Sequence, residues 1–80
     1  MNVTITVNGQ NRIVRAGATV THLVAEITDR PIGRDGRPVD GRRLGVAVAQ
    51  NAEVVARSRW WCTRIFAGDE IEIVSAVQGG

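Results

Sequence analysis

An excess of β-branched side chains constrains this chain more than any other feature: valine and isoleucine number nineteen, leucine two. Branching at Cβ stiffens χ1 and suits a pleated surface, so more strand than helix is expected. The order of these residues says where. Val3, Ile5 and Val7 alternate with Thr4 and Thr6, the period of a half-buried strand over residues 2–8. Asn8-Gly9 tolerates positive φ at both positions and suits a two-residue hairpin turn. The return strand is Gln10 to Arg15, with Ile13 its clearest inward candidate. After Gly17 the period changes. Val20, Leu23, Val24 and Ile27 make one helical stripe, with Thr19 as N-cap. Pro31 disfavours helical geometry at Arg30, so the helix should end near Thr28 or Asp29.

Residues 30–43 hold three glycines, two prolines and seven charges, with only Ile32 and Val39 large and apolar. They read as a long, mobile loop. Leu44 to Gln50 alternates again, Asn51-Ala52 gives a turn, and Glu53 to Arg57 is a short strand. Ser58 to Ala67 is irregular, but its Trp60, Trp61, Ile65 and Phe66 are expected to cover one end of the core. Gly68-Asp69 marks a turn. Glu70 to Val77 is the last strand, with Ile71 and Ile73 inward. The chain's 80 residues allow one domain, and a thin core, since so small a domain buries only about 60% of its unfolded surface. One helix cannot cover both faces of a sheet. The expectation is α+β: a mixed sheet of four to five strands packed on one main helix, with one sheet face partly open. The last strand can lie parallel beside the first, because the helix and middle strands intervene.

Charge and composition narrow the function. All ten basic residues are arginine. Five of them lie in residues 30–43 with two acids, so a basic loop sits on a near-neutral body. Interleaved aromatics and a known nucleic-acid module are both missing, so nucleic acid is not the expected partner. No apolar run approaches the roughly 18–20 residues that span a bilayer. Met1-Asn2-Val3-Thr4 has no signal-peptide character, and a cytoplasmic protein is expected. The single cysteine, Cys62, excludes an internal disulfide framework and an all-cysteine metal site. Beside two tryptophans it reads as a small buried hydrophobe. His22 reads as a helix-surface histidine, and Asp69, Glu70 and Glu72 as a solvated strand face rather than paired catalytic carboxylates. Gly33, Gly36 and Gly41 lack the spacing of a phosphate loop. No catalytic residues, bound cofactor or metal ligands emerge.

The C-terminal end is different. Gly79-Gly80 follows a strand directly, and glycine, without Cβ, can thread a narrow cleft. The carboxylate of Gly80 becomes an electrophile only if a partner with ATP converts it to an acyl-adenylate. An extended segment from Ala76 to Gly80 reaches at most ~17 Å, enough to enter another protein's site.

These residues carry a resemblance. Gly68-Asp69 followed by Glu72-Ile73-Val74-Ser75-Ala76-Val77-Gln78-Gly79-Gly80 resembles the end of the ThiS family, the sulfur carriers of thiazole biosynthesis for thiamine. Val7-Asn8-Gly9, Gly45-Val46-Ala47-Val48-Ala49-Gln50-Asn51 and Val54-Val55-Ala56-Arg57-Ser58-Arg59-Trp60 resemble its first hairpin, its middle strand and its V-V-P-R-x-x-W segment. Ala56 replaces the family's proline, Trp61 is bulkier than usual, and residues 30–43 look like an insertion. The resemblance implies a ubiquitin-like β-grasp domain over residues 1–80, with 76–80 as a flexible tail. It also implies a carrier rather than an enzyme. Gly80 would be adenylated by an E1-like adenylyltransferase of ThiF type, which consumes ATP, and loaded as a thiocarboxylate from a sulfur-donating enzyme. The sulfur would then pass to a ThiG-type thiazole synthase working on a deoxyxylulose phosphate. Ala76, Val77, Gln78 and Gly79 would occupy the partner's cleft. A β-grasp carrier for molybdopterin, cysteine or a specialised metabolite, a ubiquitin-like modifier and an RNA-binding module are the alternatives.

Overall fold

A computed structural model describes residues 1–75. Its elements run β1 (Asn2–Val7), β2 (Gln10–Arg15), α1 (Val20–Thr28), β3 (Val46–Gln50), β4 (Glu53–Val55), a 3₁₀ helix (Arg57–Cys62) and β5 (Glu70–Ser75). The five strands form one sheet in the order β2-β1-β5-β3-β4. β1 and β5 are parallel, and the other neighbours antiparallel. The last strand lies beside the first, as expected, and the layout is that of the β-grasp. β3 starts two residues later and β4 ends two residues earlier than the alternation suggests.

Local chemistry explains the elements. Asn8 and Gly9 both take positive φ, 52° and 81°, which lets the chain reverse in two residues with a twist that matches the strands. Thr19 caps α1: its hydroxyl accepts from the His22 N–H, and His22 Nδ1 accepts the Thr19 N–H at 3.1 Å. His22 therefore completes a reciprocal capping box in the place usually taken by Glu or Gln. The helix closes where Asp29 turns left-handed at φ 57°, two residues before Pro31.

The core lies between one sheet face and α1. Ile5, Val14, Val46, Val48 and Ile71 come from the sheet, Val20, Leu23 and Val24 from the helix. Trp60 and Ile65 close one end. Trp60 is fully buried, and its indole N–H donates to the Val55 carbonyl at 2.9 Å, so no polar group is stranded. The other sheet face is open, with Ile13, Val54 and Val74 exposed.

Three expectations are corrected. Ile13 is 66% exposed, and its neighbour Val14, 7% exposed, is the inward residue. The hairpin pairs Val3 with Val14 and Thr4 with Ile13, and directly paired residues share a face. Ile27 is exposed, because the helix ends one residue later and leaves the sheet. Trp61 and Phe66 are exposed rather than part of the core. The tight 3₁₀ turn can point only one of two successive tryptophans inward, and Trp60 takes that place. Residues 30–43 hold no helix or strand, but they are not simply solvated. Ile32 packs against the core, and Ile32 and Pro38 form a bridge.

The register predicts unequal responses to truncation. Val14→Ala should cost about 1–3 kcal/mol of folding stability, and Ile13→Ala less than about 0.5 kcal/mol. Urea unfolding of the two variants checks this. The reverse order would mean that β2 is shifted by one residue.

Candidate functional site

The residues singled out for function, Ala76, Val77, Gln78, Gly79 and Gly80, lie outside the described residues. What the structure describes is the strand that leads to them. β5 occupies the centre of the sheet between β1 and β3, and Ser75, its last residue, pairs with Val46. β1 ends at Val7, yet its pairing to β5 is carried further by a side chain. The Asn8 amide donates to the Ile73 carbonyl at 3.2 Å and accepts the Ile73 N–H at 2.9 Å. One asparagine thus supplies both bonds of a further strand step. It can do so because the hairpin turn holds it in the left-handed region beside β5.

The other candidates from the sequence do not gather into a site. His22 is a capping residue. Glu70 and Glu72 stand exposed on the outer face of β5. Cys62 is exposed, which corrects the buried reading: the 3₁₀ helix turns it outward, with its Sγ 3.5 Å from the Arg59 carbonyl. Among the described residues no group of three or more His, Cys, Asp or Glu is placed to hold a metal ion. Likewise, no helix there is long and apolar enough to cross a membrane.

Asp69 is the residue that sequence reasoning placed wrongly. It is 9% exposed and sits at the start of β5. Its carboxylate accepts from the Gln50 amide at 2.8 Å, the Asn51 amide at 3.1 Å and the Phe66 N–H at 2.9 Å. Gln50 also donates to the Arg64 carbonyl, and Asn51 accepts the Glu70 N–H. The cluster ties the β3–β4 turn, the segment after the 3₁₀ helix and the root of β5 together. Burial works against ionisation of Asp69. The Phe66 N–H and the amides of Asn51 and Gln50 outweigh it and hold the carboxyl below its ordinary value. No local signal marked it, because its donors stand at positions 50, 51 and 66, on segments remote in sequence.

Because the folded value lies below the unfolded one, about 3.9, this carboxylate's contribution is complete above that pH. It is lost as the pH falls through the folded value. Asp69→Asn should destabilise the protein by about 2 kcal/mol near neutral pH, since an amide cannot accept from all three donors. The gap from wild type should narrow as the pH falls toward about 3. Denaturation curves across that range check it, and parallel curves would show that the carboxylate charge is not used.

Comparison with known proteins agrees with this geometry. Among curated proteins none matches the chain. The crystal structure of the thiamine biosynthesis protein ThiS from Geobacter metallireducens is similar, at 26% sequence identity and a TM-score of 0.69. The match covers 98% of this chain and 100% of that one. The ThiS family model matches residues 5–80, nearly the whole sequence, and the chain belongs to the ThiS family.

Proposed function

We propose that this protein is a sulfur carrier of thiamine biosynthesis, with the sulfur held at the carboxyl group of Gly80. The observation that carries this reading is the family match, which runs through residue 80 and so includes the Ala76–Gly80 ending. The Geobacter metallireducens relative, named as a thiamine biosynthesis protein, supports the pathway.

The chemistry follows from the inertness of a carboxylate. An E1-like adenylyltransferase would join the Gly80 carboxylate to the α-phosphorus of ATP and release pyrophosphate. A hydrosulfide equivalent from a sulfur-donating enzyme would then attack the acyl carbon. AMP leaves with one former carboxylate oxygen, and a thiocarboxylate remains. A thiazole synthase acting on a deoxyxylulose phosphate would take the sulfur in exchange for an oxygen, from the substrate's carbonyl group or from water, which restores the carboxylate. The carrier supplies no catalytic group, binds no cofactor and works among cytoplasmic enzymes. Gly79, lacking Cβ, lets the backbone enter the partner's cleft, with Ala76, Val77 and Gln78 leading in.

Two experiments test the reading. The chain is incubated with its adenylating enzyme, ATP and a sulfur donor, then weighed intact. A mass rise equal to the exchange of oxygen for sulfur, confined to the C-terminal peptide, is expected. Deleting Gly80 shifts the carboxylate by ~3.3–3.6 Å and should abolish loading, since errors near 1 Å already matter. Equal loading of the shortened chain would refute the reading, and amide-linked adducts on other proteins would favour a modifier. Cys62→Ala should load as well as wild type and lose little stability, because the thiol is exposed and has no partner cysteine. A folded variant that fails to load would put the thiol in the pathway.

A further inference from the structure

Residues 30–43 are left unused by the carrier chemistry, and the structure folds them against the 3₁₀ helix. Arg57 holds them there. Its guanidinium donates to the Gly36 carbonyl at 3.3 Å and the Val46 carbonyl at 2.9 Å. Gly36, at φ 79°, lies so close that a Cβ would sit 2.6 Å from the Arg57 carbonyl oxygen. The loop's acids shape the loop itself. Asp40 accepts from the Arg42 N–H at 2.9 Å and pairs with Arg30 at 3.3 Å, and Asp35 accepts the Arg37 N–H at 3.0 Å.

Between this loop, β3 and β5 opens a cleft of about 850 Å³. Its floor is apolar, with Leu44, Ala47 and Val74. Its rim is cationic. Arg37, Arg42 and Arg43 are exposed, and none has a carboxylate partner among the described residues. Asp35 is the one acid among the residues that line it. Val74 immediately precedes Ser75, so the cleft adjoins the point where the described chain ends.

We propose that this cleft docks an acidic surface of the enzyme that receives the tail, with an apolar side chain of that enzyme on the Leu44–Val74 floor. The identity of the partner rests on the sulfur-carrier reading, but the chemistry of the surface it presents does not. Five extended residues reach at most ~17 Å, so an enzyme that engages Gly80 must bring its own rim over Val74 and the cleft. Unpaired arginines there favour a rim of opposite charge, which speeds encounter and sets register. Nucleic acid fits less well. No aromatic lines the cleft to stack a base, and the exposed Trp61 face is covered by Arg34 at 3.8 Å.

The test is the double variant Arg42→Glu, Arg43→Glu. Within the structure only the backbone atoms of these residues are engaged, through the Arg42 N–H and the Arg43 carbonyl, so the fold should persist. In the loading reaction with the adenylating enzyme at about 0.15 M salt, KM for the carrier should rise about tenfold with kcat unchanged. The difference should shrink as salt is raised. An unchanged KM overturns the proposal. A second arm needs no enzyme: the ¹⁵N-labelled chain is titrated with hexaglutamate and, separately, with oligouridine of equal length. Amide shifts at residues 42–47 and Val74 with hexaglutamate, lost in the double variant, are expected. Absence of those shifts, or tighter binding of oligouridine there, overturns the assignment to an acidic protein surface. If wild-type chain is not loaded at all, the carrier reading fails while the hexaglutamate titration still decides the cleft.

Discussion

The centre of the sheet depends on where β5 is held, and β5 is held by polar side chains near both ends. A parallel pair gives only two register partners to β1, Thr6 with Glu70 and Val7 with Ile71. The Asn8 amide extends that short ladder to Ile73, and the Asp69 carboxylate anchors the strand's beginning to Gln50, Asn51 and Phe66. Burial of Ile71 alone would fix which face of β5 points inward, but not how far the strand slides along β1. Directional hydrogen bonds fix that, since a slip of two residues would keep the same face inward but break those bonds. The position of β5 up to Ser75 is therefore set by residues 8 and 69, the first of them at the opposite end of the sequence.

A thin core makes such devices necessary. The described core is ten apolar residues, and no second layer protects the outer sheet face. Trp60 contributes more buried surface than any other side chain, and its depth is tolerable only because the Val55 carbonyl takes its N–H. Arg57, three residues earlier, lies over the same indole at 5.3 Å while its donors hold Gly36 and Val46. One short 3₁₀ helix thus seals the core inwardly and clasps the loop outwardly. The segment after it pairs with the start of α1, where Val20 donates to Thr63 and Ile65 donates to Ala18. A connection that looks irregular in sequence is consequently one of the most highly bonded parts of the molecule.

How much of this was legible follows from the range of each signal. Period and turn chemistry act within a few residues, and they placed β1, its turn, α1 and β5. They also contained the answer for β2. A two-residue turn that pairs Val7 with Gln10 must, counting back, pair Val3 with Val14, so Ile13 faces outward with Thr4. Choosing the largest apolar residue instead of following the register produced the error. Asp69 was hidden for a different reason. Its donors stand at positions 50, 51 and 66, and no local pattern announces that three segments converge on one carboxylate. The docking of residues 30–43 was hidden likewise, since Gly36 meets Arg57 across twenty-one positions. The family was legible from the A-V-Q-G-G ending and three further segments.

On the proposed function, the cleft and the terminal carboxylate would divide the work of a carrier in a way that electrostatics permits. Exposed charges are screened over about 8 Å at physiological ionic strength, and the chain between Val74 and Gly80 can extend roughly twice that distance. Arginines at the cleft rim therefore exert little field on a carboxylate delivered to the far end of an extended tail. On that reading they could select and steer a partner without stabilising the carboxylate against adenylation, which a nearby guanidinium would do by favouring the anion. Had the same arginines stood near the end of the chain, docking strength and reactivity would be coupled, and each gain in one would cost the other. Placing the basic residues at the root of the tail, on a loop clamped by Arg57, keeps the two adjustable apart. A carrier loaded and discharged at one carboxyl group by successive enzymes, as proposed, would require that separation, because every partner would meet the same group but need not bind the same rim.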